Sequence, residues 1–272
     1  MIREKIMNKT ILITGATDGI GLETAKLLLE IGHHILLHGR NSEKLAKVTE
    51  ELSNSGKVES YLADLSDMND VVSLASEIKE KHKHLDVLIN NAGVLKVPDP
   101  ITKEGLDLRF VVNTIAPYLL TKKLLPLFNN NGRVINISSA AQARVDLNAL
   151  AGVNMRLDTM NAYAQSKLAI TMWSRAMSDL TGNDGPIFIS VNPGSLLGSK
   201  LVKEGFGIMG KDLSIGAEII ARAALSDEFA GASGKYFDND SGRFANPHPD
   251  ANNPEKTFEL TKVLDEILSN YL

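Results

Sequence analysis

The stretch that most constrains the fold reads Thr10-Ile-Leu-Ile-Thr14-Gly15-Ala-Thr17-Asp18-Gly19-Ile20-Gly21. A short apolar run rich in β-branched residues is stopped by glycine. Apolar positions then follow at helical spacing, Ile20, Thr24, Leu27, Leu28 and Ile31, with Glu23 and Lys26 between them and Gly32 as the stop. Glycines between a strand and a helix let the backbone approach an anion closely, and the helix start offers it unpaired N–H groups and a positive dipole end. This context predicts a dinucleotide pyrophosphate site at Gly15, Thr17, Asp18, Gly19, Ile20 and Gly21. The spacing, Gly-x-x-x-Gly-x-Gly, is a variant of the common fingerprint.

The same alternation continues along the chain. Further strands are predicted at 34–38, 58–63, 86–90, 133–138, 187–191 and near 235–237, and helices at 42–53, 70–82, 105–128, 162–181 and 214–224. Strands separated by helices of ten or more residues require crossovers, hence a parallel sheet covered on both faces. The expectation is an α/β fold, one doubly wound Rossmann-type domain over residues 1–272, with no linker or repeat dividing it. Two stretches are too long for tight turns, 140–161 and 193–213, and are expected to be substrate loops. Residues 239–257, rich in Pro, Asn and Asp, read as irregular surface chain before a last helix.

Composition narrows the function classes. Asp plus Glu outnumber Lys plus Arg, 33 to 29, a net charge of −4 that supplies no field for nucleic acid. There is no Cys, so thiolate catalysis and Cys-ligated metals are excluded. The six His residues show no ligand spacing, and no metal is expected. With no apolar run before Thr10, a cytoplasmic protein without a membrane anchor is expected.

The second strand ends in Gly39-Arg40-Asn41. A carboxylate there would accept from a ribose 2′-hydroxyl, whereas a guanidinium grips a 2′-phosphate. Arg40 therefore favours NADP(H) over NAD(H), largely alone, since Asp18 adds no positive charge. The alternative is an ordinary surface arginine.

Taken in order, the motifs resemble the short-chain dehydrogenase/reductases. They are Thr14-Gly-x-x-x-Gly-Ile-Gly21, Asp64-Leu65, Asn90-Asn91-Ala92-Gly93, Asn113, Ile137-Ser-Ser139, Tyr163-x-x-x-Lys167 and Asn192-Pro193-Gly194. The resemblance implies a sheet of about seven strands and hydride exchange between a nicotinamide cofactor and an alcohol or carbonyl. It implies that Tyr163 protonates the carbonyl oxygen during reduction, Ser139 hydrogen-bonds that oxygen, and Lys167 also holds the nicotinamide ribose. Asn113 would position a water in a relay ending at Lys167, and Asn91 would hold backbone near the cofactor. Homodimers or homotetramers are implied as well. Asp64 is open between touching the adenine and capping the next helix, for which Asp67 competes.

Tyr163 and Lys167, four apart on a helix, share a face, and a nearby ammonium is expected to lower the phenol's pKa toward neutrality. A second match, Tyr118-x-x-x-Lys122, shows how little the spacing says alone; Tyr118 sits among packing residues, whereas Tyr163 has small neighbours in Ala162, Ala164 and Ser166. Two features depart from the family. Gly198 stands where a Thr often contacts the carboxamide, with Ser199 as a substitute. The long Ser139-to-Tyr163 interval resembles branches acting on retinoids or other bulky carbonyls, with Leu147, Leu150, Val153 and Met155 as candidate apolar walls. The rival of an enzyme is a regulatory NADP(H) sensor, which would need only the glycine loop. A nucleotide-sugar epimerase would need a larger C-terminal domain.

Overall fold

The structure, a computed structural model, describes residues 8–153 and 157–272. Its centre is an eight-stranded sheet in the order β3-β2-β1-β4-β5-β6-β7-β8. The strands are β1 (Thr10–Ile13), β2 (His34–Gly39), β3 (Val58–Leu62), β4 (Val87–Asn90), β5 (Arg133–Ile137), β6 (Ile187–Asn192), β7 (Lys235–Asp238) and β8 (Arg243–Ala245). Seven run parallel, and only β8 is antiparallel, pairing with β7.

Strand β8 lies inside the stretch read as irregular. Its three residues are too few to show a period, and what holds it is an aromatic cluster. Phe244 lies opposite Phe237, the two rings 5.2 Å apart, and both meet Phe229.

Between the strands run α1 (Gly19–Glu30), α2 (Ser42–Ser53), α3 (Met68–Lys81), α4 (Leu108–Phe110), α5 (Ala116–Leu124), α6 (Leu147–Leu150), α7 (Thr159–Thr181), α8 (Lys200–Phe206), α9 (Ser214–Leu225) and α10 (Pro254–Ile267). The period-2 alternation of the strands divides the core in two. Leu12, Leu36, Leu88, Val134 and Phe188 face α3, α5, α7 and α10. Their neighbours Ile11, Ile13, Ile35, Ile89, Ile135 and Ile189 face α1, α2 and α9.

Three segments differ from expectation. Helix 105–128 starts only at Leu108, capped by Asp107, and passes through a π turn (Val111–Ile115) between α4 and α5. The loops 140–161 and 193–213 contain helices, α6 and α8, too short to leave a periodic signature. Helix α7 begins at Thr159, where the Asp158 carboxylate accepts from the Asn161 amide. No helix among the described residues is long and apolar enough to cross a membrane.

Candidate active site

The strand order reverses direction between β1 and β4, so the loops leaving their carboxyl ends separate and open a crevice. A cleft of about 660 Å³ lies there, lined by residues that follow β1 to β6 and by α7 and α8. Every position expected to touch the dinucleotide lines it: Gly15, Thr17, Asp18, Gly19, Ile20, Gly21, Arg40, Asn41, Asp64, Leu65, Asn91, Ala92, Gly93, Pro193, Gly194 and Ser199. Ser139, Tyr163 and Lys167 line it too, whereas Asn113 is fully buried behind it.

The glycine loop is shaped by the protein around it. Gly15 has φ +63°, and a Cβ there would come within 2.8 Å of the Ala92 backbone, so the loops after β1 and β4 approach closely only because this residue is glycine. Asn91 ties them together, donating from Nδ2 to the carbonyls of Thr14 (2.9 Å) and Gly15 (3.0 Å). The sequence reading missed His38, a buried ring at the end of β2. Its Nδ1 accepts from the Gly15 amide at 3.1 Å, and its Nε2 donates to the Ala63 carbonyl at 3.1 Å. Burial depresses its pKa to about 4, which keeps the ring neutral in the one tautomer that makes both bonds.

At the end of β2, Arg40 is exposed at the cleft wall, and Asn41 caps α2 by accepting from the Lys44 amide. Arg40 is not alone. Lys44, in the first turn of α2, also lines the cleft, and its ammonium pairs with the Asp18 carboxylate at 2.5 Å. Lys44 holds Asp18 below the usual carboxylate range, and the Asp18 side chain also accepts from the Gly19 amide, so the charge inside the glycine loop is matched. Asp67, not Asp64, caps α3; the Asp64 carboxylate accepts from the Ser66 amide and hydroxyl.

Tyr163 and Lys167 share a face of α7, with the Lys167 ammonium 5.7 Å from the centre of the Tyr163 ring. The ammonium is buried, and its pKa is pushed down to about 8 by desolvation. It donates to the Ile137 carbonyl at 2.7 Å, one of its three donors. The remaining donors fit a hydroxylated group in the cleft, as a ribose would present. The phenol departs from expectation, because burial raises its pKa and only the Ser139 hydroxyl works in the opposite direction. The ammonium is directed at a backbone carbonyl rather than at the phenolic oxygen, so spacing on a helix was not enough to predict the sign. Ser139 Oγ accepts from the Ala141 amide at 3.1 Å and keeps its hydrogen for another acceptor. Ser138 points inward, bonding the Lys167 carbonyl and Thr171.

The Asn113 side chain is bonded within the protein. Both amide hydrogens are used, on the Val94 carbonyl and Ser166 Oγ, and Oδ1 accepts from the Val94 amide. The side chain fastens the loop after β4 to α7. Gly93 separates its oxygen from the Lys167 ammonium; a Cβ on Gly93 would lie 3.4 Å from the one and 3.6 Å from the other. Ser166 and Ala162 are buried, and Ser166 donates to the Tyr163 carbonyl, so their small size serves packing.

The Pro193-Gly194 loop is anchored by a distant turn that carries no motif of its own. Asp240 accepts from the Ser195 amide and hydroxyl and from Asn192 Nδ2, and Asn239 donates to the Pro193 carbonyl. The absence of Thr at 198 has a steric cause. A Cβ at Gly198 would meet the Met209 carbonyl at 2.8 Å, where the two ends of the loop around α8 are stitched together by Gly198 and Lys211. Ser199 caps α8 by accepting from the Val202 amide, which leaves its hydroxyl hydrogen free toward the cleft. Of the proposed apolar walls, Leu150 is core, Leu147 packs against it, Val153 is exposed, and Met155 lies outside the described residues. The interval instead supplies Ala140, Ala141 and Met160. The second Tyr-x-x-x-Lys pair is structural: Tyr118 and Lys122 both donate to Asp265 on α10, and Tyr118 packs on Trp173.

The sequence profile of the short chain dehydrogenase family matches residues 9–205. Human (Homo sapiens) retinol dehydrogenase 13 is 30% identical over 276 aligned residues, which cover 94% of this chain and 83% of that protein. Human polyprenol dehydrogenase is 31% identical, covering 96% and 87%. Among solved structures, an angucycline C-6 ketoreductase with bound NADP superposes with a TM-score of 0.67 at 26% identity, covering 85% of this chain and 93% of that one. With this match, this sheet and this cleft, the chain belongs to the short-chain dehydrogenase family, whose members related to it are dehydrogenases and oxidoreductases acting on CH-OH and C=O groups.

Proposed function

We propose that the protein is an NADP(H)-dependent oxidoreductase that interconverts an apolar aldehyde or ketone and its alcohol, with Tyr163 as general acid and base. The observation that carries this reading is the convergence of Ser139, Tyr163 and Lys167 on the cleft into which the glycine loop opens. A bare sensor would not require that convergence. When bound, the nicotinamide supplies the hydride chemistry. Gly15, Thr17, Gly19, Ile20 and Gly21 would take the pyrophosphate, Asp64 and Leu65 the adenine, and Arg40, with Asn41 and Lys44 beside it, the 2′-phosphate. Asn91, Ala92, Gly93, Pro193, Gly194 and Ser199 would frame the nicotinamide half, with Lys167 on its ribose.

The proton chemistry belongs to the chain. Burial keeps the Tyr163 phenol protonated at neutral pH, poised to give its proton to a carbonyl oxygen as negative charge develops there. Ser139 donates a second hydrogen bond to that oxygen. Lys167, cationic below about pH 8, faces the same space and supports the charge left on the phenol. In the oxidising direction the same groups run in reverse. The reactant end of the cleft is walled by Val94, Val112, Met160, Leu196, Leu201 and Val202, which suits an apolar substrate. Two relatives are named for apolar alcohols, retinol and polyprenol.

The test compares thermal stabilisation by NADPH and NADH, then turnover of long-chain and cyclic aldehydes and ketones. Tyr163→Phe is expected to lose at least ~100-fold in kcat while still binding nucleotide. Arg40→Glu is expected to bring NADPH and NADH to parity. Equal stabilisation of the wild type by both nucleotides refutes the NADP(H) assignment, and undiminished turnover by Tyr163→Phe refutes the acid/base role.

A further inference from the structure

The carbonyl of Ser139 is held from two directions. The Tyr236 hydroxyl, from β7, donates to it at 3.0 Å, and Gln142 Nε2 donates to it at 3.1 Å. Gln142 is itself held, since its Oε1 accepts from the His248 amide at 2.9 Å, in the segment that leads from β8 to α10. Ser139 thus leaves β5 on a short irregular stretch, and its orientation is set by β7 and by chain more than a hundred residues downstream. Tyr236 is buried and does not line the cleft, so it cannot touch a reactant there.

We propose that Tyr236 and Gln142 are positioning residues that fix the Ser139 hydroxyl toward the reacting oxygen by gripping the Ser139 carbonyl. The proposal rests on the reading of Ser139 given above. The hydroxyl reaches the reacting oxygen only if the peptide that follows it is correctly rotated, because Oγ takes its orientation from the Ala141 amide two residues on. A carbonyl accepting two hydrogen bonds from different elements cannot rotate without breaking both. The last third of the chain thereby contributes to catalysis without lining the cleft.

The experiment uses the full chain in steady-state alcohol oxidation with NADP+. Tyr236→Phe removes one hydroxyl and keeps the ring, and Gln142→Leu removes the second grip and the tie to His248. Each is expected to lower kcat about tenfold with KM and nucleotide affinity changed less than about twofold, the signature of an interaction used in the transition state. Ser139 is also the group that draws the Tyr163 phenol downward, so loosening it moves the rising limb of the pH–rate profile to higher pH. A merely structural role would lower the melting temperature and leave that limb in place. Wild-type kcat and an unmoved limb in both variants overturn the proposal. Ser139→Ala, assayed in parallel, separates the two ideas. If it is inactive while Tyr236→Phe and Gln142→Leu are unimpaired, only the grip falls. If Ser139→Ala turns over normally, the reading of Ser139 falls and the proposal with it.

Discussion

Replacing Lys167 with Met should make the protein more stable as it makes it inactive. The Lys167 ammonium is buried with no carboxylate against it among the described residues, and desolvation lowers its pKa from 10.5 to about 8. That depression corresponds to about 3 kcal/mol of destabilisation at neutral pH. Methionine fills much the same volume without the charge, but it gives up the hydrogen bond to the Ile137 carbonyl, a loss of about 1 kcal/mol. The net gain is about 2 kcal/mol, or roughly 5 °C in melting temperature for a chain of this size. The sign with pH follows from proton binding. Below pH 8 the lysine is charged in both the folded and the unfolded chain, so the penalty is complete. Between pH 8 and 10.5 the folded protein has already released the proton that the unfolded chain keeps, so wild-type stability rises with pH through this window. Thermal denaturation of wild type and Lys167→Met without nucleotide, at pH 7 and pH 10.5, checks it. The advantage of the variant should be present at the lower pH and nearly gone at the higher. A variant less stable than wild type at pH 7, or an advantage independent of pH, would refute the reasoning.

Three further predictions follow from single contacts. His38, neutral in the fold down to about pH 4, takes up a proton near 6.5 once unfolded, so stability should fall as pH drops from 6.5 to 4; denaturant titrations of His38→Asn should show a flatter dependence over that interval. Gly198→Thr, which inserts the residue common in the family, should drive the loop around α8 away from the Met209 carbonyl; faster proteolysis within 197–211 and weaker nucleotide binding are expected, and tighter binding would contradict the steric argument. Tyr118→Phe should keep wild-type kcat while losing about 1 kcal/mol of stability with the bond to Asp265, measured by urea denaturation.

The motifs of the site were legible because each is local. A glycine loop between a strand and a helix, an Asn-Asn-Ala-Gly run after a strand, and a Tyr and a Lys four apart carry their geometry in a few neighbouring residues. Short apolar runs likewise revealed the parallel strands, since β1, β2, β4, β5 and β6 are buried along nearly their whole length. Strand β8 was not legible, because three residues show no period and its support comes from Phe229, a side chain distant in sequence. Helices α6 and α8 escaped for the same reason of length.

Sequence by itself determined the doubly wound fold, the family, and which residues gather at the carboxyl ends of the strands. Tertiary structure decided what those residues can do there. Lys44 stands beside Arg40 on the cleft wall because the first turn of α2 reaches the Asp18 carboxylate, and His38 became a fixed neutral ring because the core surrounds it. The Tyr163 phenol was shifted upward rather than downward, because a pKa answers to desolvation and to the aim of neighbouring donors. Spacing along a chain records which side chains can meet; only the packed fold sets which of them are dry, which are turned aside, and so which proton is held.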